Sequence, residues 1–167
     1  MTAKAQLAFA FLGSAALIGT ALAAPVAQGG QKFSMILTDE AEVPGPGDPN
    51  ATGTAIISIN PGQERICWEI TTSNVNPAFI ETAGTGAHIH PGAAGTANPP
   101  IVHLSLELNG TATGCTNVSR TLINQILANP QNYYVNLHWK HPTDPTLDFS
   151  AGALRAQLTK APRRTIR

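Results

Sequence analysis

The chain has almost no net charge and none of the common sequence signatures of nucleotide-dependent or hydrolytic enzymes. Its 167 residues include 10 Lys or Arg and 10 Asp or Glu. That balance leaves no electrostatic footprint for nucleic acid or an anionic membrane surface. There is no G-x-S-x-G, no P-loop and no dinucleotide-type glycine pattern, which removes the serine-elbow hydrolases and the phosphate-cradling folds from first consideration. Neither an internal repeat nor a heptad is present, so solenoids and coiled coils are excluded as well. Cysteine is scarce. Cys67 and Cys115 are the two in the chain, and neither sits in a C-x-x-C spacing that would suggest a metal pair.

What is present begins with an export signal. One cation, Lys4, precedes an apolar run from Leu7 to Leu22, and Ala21-Leu22-Ala23 supplies the small side chains that a signal peptidase accepts. The run is short for a bilayer span of about 20 residues. Residues 1–23 are therefore read as a cleaved signal peptide, 24–31 as a lead, 32–159 as one domain, and 160–167 as a basic, solvated tail carrying Lys160, Arg163, Arg164 and Arg167. The destination is extracellular or cell-surface, periplasmic in a Gram-negative host, with no stable membrane insertion after cleavage. In such an oxidising space a Cys67–Cys115 disulfide is the default. Three sequons, at Asn50, Asn109 and Asn117, are candidate glycosylation sites in turn-rich sequence.

Period-2 patterning dominates the domain. Ile66, Trp68 and Ile70 alternate with Cys67, Glu69 and Thr71, as a half-buried strand requires. Ala51 to Asn60 precedes that strand across the turn Asn60-Pro61-Gly62-Gln63, which predicts a hairpin. Gln31 to Thr38, Ala87 to His90, Ile101 to Leu108, Asn132 to Lys140 and Ala151 to Thr159 are the other predicted strands. Glu42 to Pro49 and Pro91 to Pro100 are loops by their Gly and Pro content. Ser119 to Ala128 is the one predicted helix, capped by Ser119 or Asn117 and ended by Asn129-Pro130. Six or seven short strands with one helix insertion make a mainly β fold, a Greek-key sandwich or barrel of the immunoglobulin or superoxide-dismutase kind.

Chemistry then rests on histidine. His88-Ile89-His90 puts two imidazoles on one face of an extended segment, and His138 lies on the face of its strand opposite Leu137 and Trp139. Three neutral imidazoles suit copper or zinc. The same residues could instead tie down the adjoining loop through backbone carbonyls. His103 is read as partly buried or supporting, and His141, before Pro142, as solvated. Asn136, Asp144 or a backbone carbonyl would fix an imidazole tautomer from outside the ligand set. No carboxylate lies close in sequence to His88 or His90, so no hydrolytic acid/base pair is visible and no catalytic residue is assigned.

The motifs taken in order resemble the CHRD domain, named for repeats in chordin. They are Glu42-Val43-Pro44; Gly53-Thr54-Ala55; Ile66-Cys67-Trp68-Glu69-Ile70; Ala87-His88-Ile89-His90 with Pro91-Gly92-Ala93-Ala94-Gly95; Asn129 to His138; and Gly152-Ala153-Leu154-Arg155-Ala156-Gln157-Leu158. Ala156 stands where the family pattern usually has Gly, and Phe149-Ser150-Ala151-Gly152 where Phe-Pro-Gly-Gly is common. The resemblance implies a non-enzymatic extracellular binding or structural module with a protein or glycan partner. The order H-x-H, loop, later strand histidine, then Gly-x-x-Arg is also similar to copper/zinc superoxide dismutase. That likeness implies His88, His90 and His138 as copper ligands and Arg155 as an anion-guiding arginine, with copper ahead of zinc.

Overall fold

The computed structural model describes residues 30–82 and 86–159, so the signal-peptide and basic-tail readings lie outside the described residues. Two antiparallel sheets face each other across one core. The first has the order β1-β2-β3-β7, built from β1 (Gln31–Leu37), β2 (Thr52–Asn60), β3 (Arg65–Ser73) and β7 (Thr111–Asn117). The second comprises β4 (Ile80–Glu81), β5 (Ala87–Pro91), β6 (Val102–Leu104), β8 (Tyr133–Lys140) and β9 (Asp148–Gln157). Strand β8 pairs with β5 and β4 on one side and with β9 on the other, and β6 flanks β5. The mainly β sandwich read from the periodicity is the fold observed.

Register follows from the alternation of side chains. Phe33, Ile57 and Trp68 are cross-strand partners in the first sheet, as are Met35, Ala55 and Ile70, and all six are buried. Ile89, Val135 and Ala156 form the matching row on the second sheet. The two inward faces make one core by removing these apolar groups from water. The helix α1 (Arg120–Ala128) is capped by the Ser119 hydroxyl, which accepts from the Leu122 amide, and buries Ile123 and Ile126. At one edge Thr38 and Arg155 exchange backbone hydrogen bonds of 3.0 and 2.9 Å, joining the end of β1 to β9.

Two sequence expectations need correction. Ile101 to Leu108 is not one strand: pairing stops at Leu104, because the chain there leaves the second sheet for the first. The crossover is held by hydrogen bonds from Trp68 Nε1 to Ser105 Oγ and from Thr72 Oγ1 to the Glu107 carbonyl. The strand it reaches, β7, was not anticipated, since Thr-Ala-Thr-Gly-Cys-Thr-Asn offers no large apolar residue to register a period of two. It matters because it sets Cys115 directly across from Cys67 in the β3–β7 register, where the two are bonded as expected. All three sequon asparagines, Asn50, Asn109 and Asn117, are exposed, and the Asn109 amide group also clamps both the N–H and the C=O of Val75.

The disulfide closes a separation of 48 residues, for which chain entropy gives about 4 kcal/mol of stabilisation. Replacing both cysteines by alanine, or reducing the protein, should lower the urea midpoint by a corresponding amount. An unchanged unfolding curve under reductant would show that the bond does not stabilise the fold.

Candidate metal centre

The outward face of the second sheet is polar and yet largely buried. Alternation along the strands sends Ile89, Val135, Leu137 and Leu154 into the core, and their neighbours the opposite way. The pairing then lines up two rows. His103, His88, Asn136 and Arg155 form one, and His90, Tyr134 and Gln157 the other. His138 joins them from β8, next to a register shift between Leu137 and Trp139.

The loop after β5 covers this face, and β9 holds it there. Arg155 Nη1 donates to the Thr96 carbonyl at 2.7 Å and Nη2 to the Ala93 carbonyl at 3.2 Å. Gln157 Nε2 donates to the Gly92 carbonyl at 2.9 Å. The Arg155 guanidinium also lies 3.4 Å from the centroid of the Tyr134 ring, a favourable cation–π contact. His90 stacks on the same ring, 4.9 Å between centroids and 9° from parallel. Arg155 is 1 % exposed, so it is not the open, anion-guiding arginine that the superoxide-dismutase likeness implied. Its donors are spent on the loop carbonyls and on Gln157 Oε1.

Beneath the loop, His88, His90 and His138 are all buried, and one ligand atom from each lies within 4.8 Å of the others. Metal–nitrogen bonds of about 2 Å place two ligands of one ion no more than about 4 Å apart. A contraction of under about 1 Å therefore closes the set. Two tautomers follow from the hydrogen bonds. His90 Nδ1 is 2.7 Å from the Asn98 carbonyl and His138 Nδ1 is 3.1 Å from the Ser150 carbonyl. A carbonyl can only accept, so Nδ1 carries the hydrogen and Nε2 keeps a lone pair. Both Nε2 atoms are closed to solvent and have no hydrogen-bond partner among the described residues. Orphaned buried acceptors are costly, and a transition-metal ion would satisfy them. His90 thus ties down the loop with one nitrogen and still presents the other.

Burial also keeps these rings neutral. It is the main cause that brings His138 down from 6.5 to about 4, with the neighbouring His88 and His90 adding to it. His90 is lowered mainly by burial too. No proton then competes for the lone pairs near neutral pH.

The other expected residues separate. Asn136 is buried in the histidine row. His103 is exposed, not partly buried, and its ring meets that of His88 edge-on at 4.9 Å. Asp144 is engaged by Thr146, and the tautomer partners of His90 and His138 are backbone carbonyls instead. His141 Nδ1 accepts from the amides of Thr143 and Asp144. Two residues escaped the sequence reading. Tyr134 shares its face with Asn136 and His138, a signal that was legible. Glu42 reads as part of a loop and of the Glu-Val-Pro family motif, with no role at the site.

Glu42 is 5 % exposed and sits beside Asn136 and Gly152, where any side chain in place of the glycine hydrogen would strike its carboxyl. Burial pushes this carboxyl from 4.5 up to about 8, while the Arg155 charge and the Asn136 amide pull the other way and are outweighed.

The chain belongs to the CHRD family. The CHRD domain model matches residues 33–158, nearly the whole described domain, and CHRD domains occur in extracellular proteins. No curated protein and no solved structure matches the chain, so the superoxide-dismutase likeness rests on the order of the histidines and Gly-x-x-Arg. No helix among the described residues is long and apolar enough to cross a membrane.

Opposite pH dependences follow. Between 4.5 and about 8 the folded chain holds a proton on Glu42 that the unfolded chain releases, so stability falls as pH rises through this window. Between 6.5 and about 4 the unfolded chain protonates His138 and the folded chain does not, so stability falls as pH drops there. Urea unfolding of Glu42→Gln from pH 5 to 9 should lack the alkaline loss seen in the wild type. Equal slopes in the two proteins would refute the assignment to Glu42. Proton NMR of the metal-free protein should find the His138 ring titrating near 4, and a midpoint near 6.5 would count against its burial as described.

Proposed function

We propose that this CHRD domain is a secreted, non-enzymatic binding module, and that the ligand taken by its polar sheet face is a copper ion held by His88, His90 and His138. The observation that carries the metal reading is twofold: the buried Nε2 atoms of His90 and His138 have no partner among the described residues, and one ring nitrogen from each of His88, His90 and His138 lies within 4.8 Å of the others. The donor set contains no carboxylate, which disfavours magnesium and calcium. Among the divalent first-row ions an imidazole site takes copper most tightly. The copper would be bound cargo or a redox centre, and the side chains of this chain supply three neutral donors and a dry pocket. Export is supported by the signal-like residues 1–23 and by the Cys67–Cys115 bond, a linkage that persists in oxidising compartments. Beyond the metal, an extracellular protein or glycan is the partner that family membership favours.

The mature domain, loaded with Cu(II) or Zn(II) and desalted, should retain about one copper per chain and less zinc. The variant His88→Ala/His90→Ala/His138→Ala should retain almost none while keeping the wild-type circular dichroism. Equal, weak uptake by both proteins would end the metal reading and leave the binding-module reading standing.

A further inference from the structure

We propose that His103 is the entry ligand of this site: it takes a hydrated copper ion from solvent on strand β6 and passes it to His88. The inference rests on the copper reading above. The ligand nitrogens His90 Nε2 and His138 Nε2 are shut away from solvent, so an ion cannot reach them by simple diffusion. On the β9 side the way is closed by the loop that Arg155 and Gln157 pin through Thr96, Ala93 and Gly92. The Asn98 amide adds a hydrogen bond to the Tyr134 hydroxyl.

The β6 side differs. Among the described residues this strand pairs with β5 alone and forms the sheet edge there. Val102 and Leu104 are buried on either side of His103, which fixes its ring on the outward face. His103 is exposed and lines a groove of about 350 Å³ with Thr116, Asn117 and Ser119, room for an ion with its waters at about 30 Å³ each. Its ring is in register with His88 and in edge contact with it, 4.9 Å between centroids, and the His88 ring is in turn 5.1 Å from that of His138. The imidazoles therefore form a chain from solvent to the buried set. At each step one imidazole nitrogen bonds to copper and one water, or the previous imidazole, leaves. No electron or proton need be transferred. His103 stands outside the group whose ligand atoms lie within 4.8 Å of one another, which suits a transient ligand rather than a permanent one.

The test is rapid mixing of metal-free protein with Cu(II)-glycine, following tryptophan quenching, for the wild type, His103→Ala, His103→Glu and His141→Ala. His103→Ala should load roughly tenfold more slowly, a barrier rise of about 1.4 kcal/mol. Its final stoichiometry and affinity should equal those of the wild type, so release slows by the same factor. His103→Glu, which restores an oxygen donor for Cu(II), should recover most of the rate, and His141→Ala should match the wild type. Equal loading rates for His103→Ala and the wild type would overturn the entry role alone. So would a loss of affinity in His103→Ala arising from faster release, which would make His103 a permanent ligand. Absence of copper uptake by the wild type would overturn the copper reading and this inference together.

Discussion

The buried guanidinium of Arg155 is the interaction on which the polar side of this sandwich depends. A β-sheet with one apolar face normally offers the other to water. Here the second face carries histidines, an asparagine and a tyrosine, and it is roofed by a loop whose apolar side chains are no larger than alanine and proline. The roof stays because Arg155 reaches two of its carbonyls and Gln157 a third. Charge-assisted hydrogen bonds of this kind exceed neutral ones in strength and offset part of the cost of enclosing a cation. Tyr134 completes the arrangement by giving Arg155 and His90 a common ring to lie against. Placement of the histidines is therefore secondary to placement of the loop.

A second constraint acts from the opposite end of the same face. The segment between β1 and β2 crosses the sheet as a strap, with Asp48 accepting from the Trp139 indole and donating its amide to the Ala153 carbonyl. This brings Glu42 down beside Asn136. A carboxyl so enclosed favours its neutral form, and the histidines, for the same reason, favour theirs. The layer thus gathers titratable groups of both types and keeps most of their charge suppressed, leaving Arg155 as its principal cation.

Much of this was legible in the chain. Alternation around Ile66, Trp68 and Ile70 located β3, and H-x-H with a later strand histidine identified the three residues that converge. What stayed hidden depended on non-local contacts. Strand β7 has no apolar period because it is an edge strand of small polar residues, recognisable through its pairing with β3. Arg155 resembled an anion guide because Gly-x-x-Arg carries no record of the loop carbonyls that take up its donors. Burial of Glu42 is likewise a property of the strap's path over β8 and β9, and a Glu beside Val-Pro in a glycine-rich stretch reads as solvated. Local sequence reports periodicity well and reports enclosure poorly.

The bond between Cys67 and Cys115 has a consequence beyond unfolding. It ties the outermost strand of the first sheet to its inner neighbour. An unprotected edge strand can be peeled back, and the bare hydrogen-bonding groups beneath can recruit a strand from another molecule. Small residues such as those of β7 provide little side-chain packing to resist this. A covalent link at mid-strand makes displacement by a foreign strand topologically awkward, so the bond guards against association between molecules as well as against unfolding.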